Sequence, residues 1–199
     1  MRAKSINVWL LGCTVCLAVV AAGCGDLVRQ DRSPVSLVIV SLSATGATGG
    51  GDFSGTLQSD VLTVVNDVPT ILNDIGQVTM RFIMKDILLA PSPMNAVTIN
   101  RYRVTFRRSD GRNTPGVDVP FPFESAVTFT IAPGGTVSNG FELVRPVAKM
   151  EAPLMALRSS PVIIDTVADV TFFGHDLAGN DLSATGSIGV HFGNFADPD

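Results

Sequence analysis

The chain has 199 residues, 46% of them hydrophobic and 16% charged, with a formal net charge of −4. That length gives one ordinary domain with a real core, and the acidic balance excludes a general binder of nucleic acid or anionic surfaces. Eleven phenylalanines stand against one tryptophan and one tyrosine, and plentiful Gly, Thr, Ser and Val fit a β protein better than a helical one.

Arg2 and Lys4 open the chain, and residues 8–22 carry no charge. As a helix that stretch spans about 22 Å, short of a ~30 Å hydrocarbon core. It therefore reads as the apolar helix of a signal peptide and not as a permanent span. Ala21-Ala22-Gly23 then lead into Cys24. This run resembles the lipobox of bacterial lipoproteins, although that pattern prefers Leu where Ala21 stands. The resemblance implies removal of residues 1–23 and acylation of Cys24, with palmitate among the acyl chains and a membrane as the first partner. Asp directly after the cysteine often marks inner-membrane retention in such proteins. Here that position is Gly25, so the resemblance implies the outer membrane of the cell envelope. The alternative is an ordinary signal peptide with a chance cysteine.

Cys13 and Cys16 have the spacing of a redox or metal pair but lie within the apolar run, so they leave with it. The mature chain keeps Cys24 alone and has no internal disulfide to form, so its stability rests on its core. The 14 basic and 18 acidic residues of the whole chain become 12 and 18 after cleavage, a net of −6. Residues 24–34 are polar, end in Ser33-Pro34 and read as the lipidated terminus and a tether.

Residues 35–42 form a continuous apolar run, as a buried strand does, and the Gly-rich residues 45–55 form a loop. From there the period is two. Val78, Met80, Phe82 and Met84 alternate with Thr79, Arg81, Ile83 and Lys85. Tyr102, Val104 and Phe106 alternate with Arg101, Arg103, Thr105 and Arg107, and Val127, Phe129 and Ile131 with threonines. Leu182, Ala184, Gly186, Ile188, Val190 and Phe192 alternate with small or polar residues. Each run offers one face to a core and one to water. The best helical segment, residues 152–158, is short and broken at Pro153.

Strands separated by Pro- and Gly-rich turns predict an all-β fold, an antiparallel β-sandwich over residues 35–199. The segment from Val170 to Asp181, with its Asp-Leu-Ala-Gly-Asn turn, resembles the closing hairpin of bacterial immunoglobulin-like and fibronectin-III-like domains. That resemblance covers about the last 30 residues and implies a fold, with no activity attached. The Cys…Trp…Cys core of antibody domains is absent.

The chemistry-bearing residues are few. Asp176, Asn180 and Asp181 crowd one loop and offer oxygen ligands for Ca²⁺, but their spacing departs from the alternating calcium-loop pattern and suits a turn. His175 adjoins Asp176, yet no G-x-S-x-G elbow supplies a nucleophile for a triad. His191 falls on the outward parity of its strand. Arg101, Arg103 and Arg107 share one outward parity, with Arg108 and Arg112 close behind. Such a row suits an acidic polysaccharide, lipopolysaccharide or acidic protein partner. The alternative is a solvated sheet face paired with acids on neighbouring strands. Tyr102 lies on the core parity, and residues 115–122 with Phe121 and Phe123 form either an apolar rim or the entry to a strand.

No residue pattern implies a cofactor. The expectation is a non-enzymatic, lipid-anchored envelope protein whose sandwich serves as a structural or binding module. Two alternatives stay open: a glycan hydrolase with paired carboxylates ~5–9 Å apart, and a calcium-stabilised adhesion module.

Overall fold

The computed structural model describes residues 32–46 and 52–195. The expected signal helix, Cys24 and most of the expected tether lie outside those residues. The described chain is an all-β sandwich of two packed sheets, with a short hairpin and two helical turns at one end.

The three-stranded sheet has the order β1 (Val35–Thr45), β5 (Asp74–Met84), β8 (Val137–Val144). The five-stranded sheet has the order β2 (Thr56–Asp60), β10 (Asp181–Gly193), β9 (Ile164–Asp176), β6 (Val97–Arg107), β7 (Phe123–Ile131). β3 (Thr63–Val65) and β4 (Val68–Thr70) make a separate hairpin. Its Asn66-Asp67 turn has φ of 50° and 61°, the left-handed pair that a tight two-residue hairpin needs.

In the second sheet β10, β9 and β6 lie side by side, with β2 at one edge and β7 at the other. The pairing differs from the expected layout in one respect. β2 lies parallel to β10, with Leu57 opposite Val190, whereas the other strand neighbours are antiparallel. The chain leaves β1 in one sheet, crosses over and joins the far edge of the other, so its direction at that edge matches that of β10.

The core forms where the period-two faces meet. Val78, Met80, Val104, Ile99, Ile131, Val170, Phe172, Val190 and Phe192 have at most trace exposure. Tyr102, 2% exposed, meets Phe141 across the sandwich at 5.2 Å between ring centroids and donates its hydroxyl to the Glu142 carbonyl at 3.0 Å. Phe141 in turn meets Phe172 edge-to-face at 5.3 Å. The Phe141 ring lies on Gly76, where an added Cβ would come within 2.3 Å of it. Glycine at that point is what lets the aromatic layer close.

Two bulges change the inward parity along a strand. In β1 the register shifts between Ile39 and Ser41, leaving Val40 54% exposed. Leu37 and Ile39 pack inward before it, Leu42 and Ala44 after it. The run 35–42 is thus an edge strand with a bulge and not the uniformly buried strand its composition implied. In β6 the shift between Ile99 and Arg101 moves the buried set from odd positions to Tyr102, Val104 and Phe106. Opposite this bulge sits Gly174, where a Cβ would fall 2.2 Å from the Thr98 carbonyl oxygen.

The helical segments also differ from expectation. A short helix α1 (Pro146–Met150) precedes a 3₁₀ turn at Leu154–Ser159. The first starts at a proline, which suits the opening turn of a helix. The second buries Leu154 and Leu157, three apart as a 3₁₀ face requires.

Candidate functional site

The arginine row lies on the outward face of the five-stranded sheet, where β6 runs between β7 and β9. Beyond the bulge, alternation turns Arg101, Arg103, Thr105 and Arg107 outward while Tyr102, Val104 and Phe106 turn in. The neighbouring strands bring acids beside the arginines. Glu124 of β7 accepts from Arg101 Nη1 at 2.9 Å and from Arg103 Nε at 2.7 Å. Asp169 of β9 accepts from Arg107 Nε at 2.6 Å and from the Ser187 hydroxyl at 2.6 Å. The Arg103 hydrogen bond, followed by the charges of Arg103 and Arg101, holds the Glu124 carboxyl below the usual range. Desolvation pushes Asp169 up, but its bonds from Arg107 and Ser187 outweigh that and leave it lowered.

Three guanidinium groups face two carboxylates in this row, so it keeps one net positive charge. Arg101 also stacks on the ring of Phe173, 3.9 Å from its centroid. Phe173 is half-buried on the outward face, the register partner of Arg101 across β6 and β9. Beside it Arg103, Thr105, Pro122, Phe123 and Glu124 line a shallow groove of about 320 Å³. The face therefore combines a stacked arginine, a shared carboxylate and a groove with one aromatic wall. Phe173 was legible in principle: Phe172-Phe173 is a doublet in a strand, and only one member of such a doublet can point inward.

Arg108 and Arg112 stand apart from this row. Both bind Asp110 within their own loop, at 2.7 and 3.0 Å. The Arg108 bond, with those from Arg112, holds the Asp110 carboxyl well below the carboxylate range. The expected rim at 115–122 is divided: Val117 is 67% exposed, Val119 is buried, and Phe121 lies over Gly116 while the residue stays 50% exposed. Phe123 enters β7 and is buried.

The weak calcium candidate is a closed turn. Asp176 Oδ1 accepts from the amides of Ala178 and Asn180 at 3.0 and 2.9 Å. Its Oδ2 accepts from Asn180 Nδ2 and from the Ser33 hydroxyl, each at 2.9 Å. Desolvation pushes this carboxyl up, but the Asn180 and Ser33 bonds prevail and leave it below its usual value. A cation would have to displace those donors. Asp181 is exposed at the start of β10. Among the described residues, no three His, Cys, Asp or Glu side chains cluster as metal ligands do.

His175 and Asp176 are consecutive strand residues and point to opposite faces, so they do not make a triad pair. His191 is partly exposed and lies 2.6 Å from Asp165 through Nδ1.

One buried group was not foreseen. Lys149 of α1 and Asp74 of β5, each 1% exposed, form an ion pair at 2.9 Å, and the Ser59 hydroxyl of β2 donates to the same Asp74 oxygen at 2.6 Å. The cluster ties both sheets to the helical turn. Its members are far apart in sequence, and no local pattern joins them.

No family model matches the sequence, and no curated protein matches it.

Proposed function

We propose that this chain is a lipid-anchored envelope protein without enzymatic chemistry, whose sandwich is a structural or binding module held at the outer membrane through Cys24. The observation that carries this reading is the run Ala21-Ala22-Gly23-Cys24 at the end of an uncharged stretch, followed nine residues later by the first packed residue of a β-sandwich, Ser33. Two or more acyl chains hold a protein on a bilayer stably, where a single chain does not.

The docking face is the outward side of β7, β6 and β9. Its arginines are held flat by Glu124 and Phe173, so they are ordered before a partner arrives. An acidic polysaccharide or an acidic envelope protein would exchange with Glu124, because guanidinium groups bind carboxylates and phosphates through the same fork.

Intact-mass analysis of the native protein tests the anchor: Cys24 should be the acylated N-terminus, and a bare residue 24 refutes the address. Crosslinking in intact cells from a photoreactive group at Thr105, which lines the groove, tests the face: it should capture one defined envelope component.

A further inference from the structure

The loop joining β5 to β6, residues 85–96, carries the most exposed large apolar side chains among the described residues. Ile87 is 91% exposed and Leu88 is 88% exposed, with Leu89 and Met94 at 54% and 60%. Such a run is out of place in water, where large apolar patches mark a binding surface. The loop is built to present these residues. Asp86 caps its first turn, with the Leu88 amide donating to Asp86 Oδ1 at 2.9 Å and the Leu89 amide to the Asp86 carbonyl at 3.2 Å. Its second turn, at Pro93–Asn95, is closed by the Ser92 amide on Asn95 Oδ1 at 2.7 Å.

The position of the loop says what it meets. The Lys85 amide donates to the Pro34 carbonyl at 2.9 Å, and Val35 pairs with Met84. The point where the chain enters the sandwich therefore adjoins the root of the loop. Ser33 ties the same corner to Asp176, and beyond Asp176 the turn exposes Leu177 by 57%. Eight peptide units separate Cys24 from Arg32. They reach about 28 Å at full extension and roughly 15 Å as a coil. An acylated Cys24 thus keeps this end of the sandwich next to the bilayer. The opposite end carries exposed apolar groups too, such as Val117 at 67%, but the tether leads away from it.

Resting on the lipid-anchor reading, we infer that the loop 85–96 is a second membrane contact: Ile87, Leu88 and Leu89 insert into the lipid surface beside the acylated terminus. The contact fixes which face of the sandwich looks away from the bilayer. Exposed Arg32 stands near the loop's root, where it meets anionic headgroups, while Asp86 turns its carboxylate onto the Leu88 amide of its own loop.

The test uses the full chain made in a bacterial host and placed in vesicles of phosphatidylethanolamine and phosphatidylglycerol. Acylation blocks Cys24, and cleavage removes Cys13 and Cys16, so the unsubstituted protein should take up no thiol dye. Leu88→Cys and Val117→Cys each add one thiol at an exposed site. A polarity-sensitive dye at position 88 should emit to the blue and be quenched several-fold more by nitroxide-bearing lipids than the same dye at position 117. Equal, water-like emission at both sites, with the unsubstituted chain still unlabelled, overturns the loop contact and leaves the anchor standing. A blue shift without lipid quenching assigns the loop to a second copy or another protein and also overturns it. Dye on Cys24 of the unsubstituted chain overturns the anchor, and this inference with it.

Discussion

Lys149 and Asp74 are the charged residues that sequence reasoning could least have placed. One sits in a helical turn and the other opens a strand, and only the closed sandwich brings them to 2.9 Å. Removing one partner of a buried pair strands the other charge, so Lys149→Met should destabilise the domain by ~3–5 kcal/mol. Lys149→Met combined with Asp74→Asn should recover part of that loss, and urea unfolding of the two variants measures both. Asp176 was more legible, because Asp-Leu-Ala-Gly-Asn carries turn chemistry in the local sequence. Its reach to Ser33, 143 positions away, was not. The folded-state pKa of Asp176 is depressed, so its ionisation stabilises the fold at neutral pH. That contribution is complete above the unfolded carboxyl value of about 4 and disappears as pH falls through the folded value. The stability gap between the natural chain and Asp176→Asn should therefore be constant from neutral pH to about 5 and narrow in acid. Thermal melts across that range check the sign.

At the scale of strands, alternation was readable wherever one face is wet. The inward sets of β5, the second half of β6, β7 and β10 follow the period of two. It failed where the backbone departs from that period. Val40 in β1 and Asn100 in β6 each add a residue, and a parity count carried across a bulge inverts the face. β2, β3 and β4 are too short for periodicity to show. Gly186 illustrates a further limit. It holds an inward position in β10, where an added Cβ would stand 3.0 Å from Ile39 Cδ1 and 3.3 Å from Leu42 Cδ2. The missing side chain is the space that β1 fills. Gly186→Val should overpack this seam and cost ~1–3 kcal/mol by chemical denaturation. On the outward face, Glu124→Gln removes the carboxylate shared by Arg101 and Arg103. Retention on an immobilised acidic polysaccharide should rise in low salt while the melting temperature barely moves, since exposed ion pairs add little to stability.

For the molecule as a whole, composition and turn spacing carried the fold class, an all-β sandwich. Strand order was not readable, because β2 reaches β10 across more than a hundred intervening residues. The exposed loop 85–96 was hidden for the opposite reason. Asp-Ile-Leu-Leu-Ala reads like core, and only the assembled sandwich shows Ile87 and Leu88 standing 91% and 88% exposed.

β1 enters at one end of the sandwich, and β10 leaves at the other. Under the proposed anchor, tension between the N-terminus and anything gripping the far end would therefore run along β1. Its ladder with β5 pairs residues from Val35 opposite Met84 to Thr45 opposite Ile75, and those rungs would share the load in shear instead of parting one after another. The Ser33–Asp176 bond extends the grip to the second sheet. Stretched by its ends, this domain should resist more force than one whose terminal strand peels from the edge, and Ser33→Ala should lower the rupture force measured by single-molecule pulling.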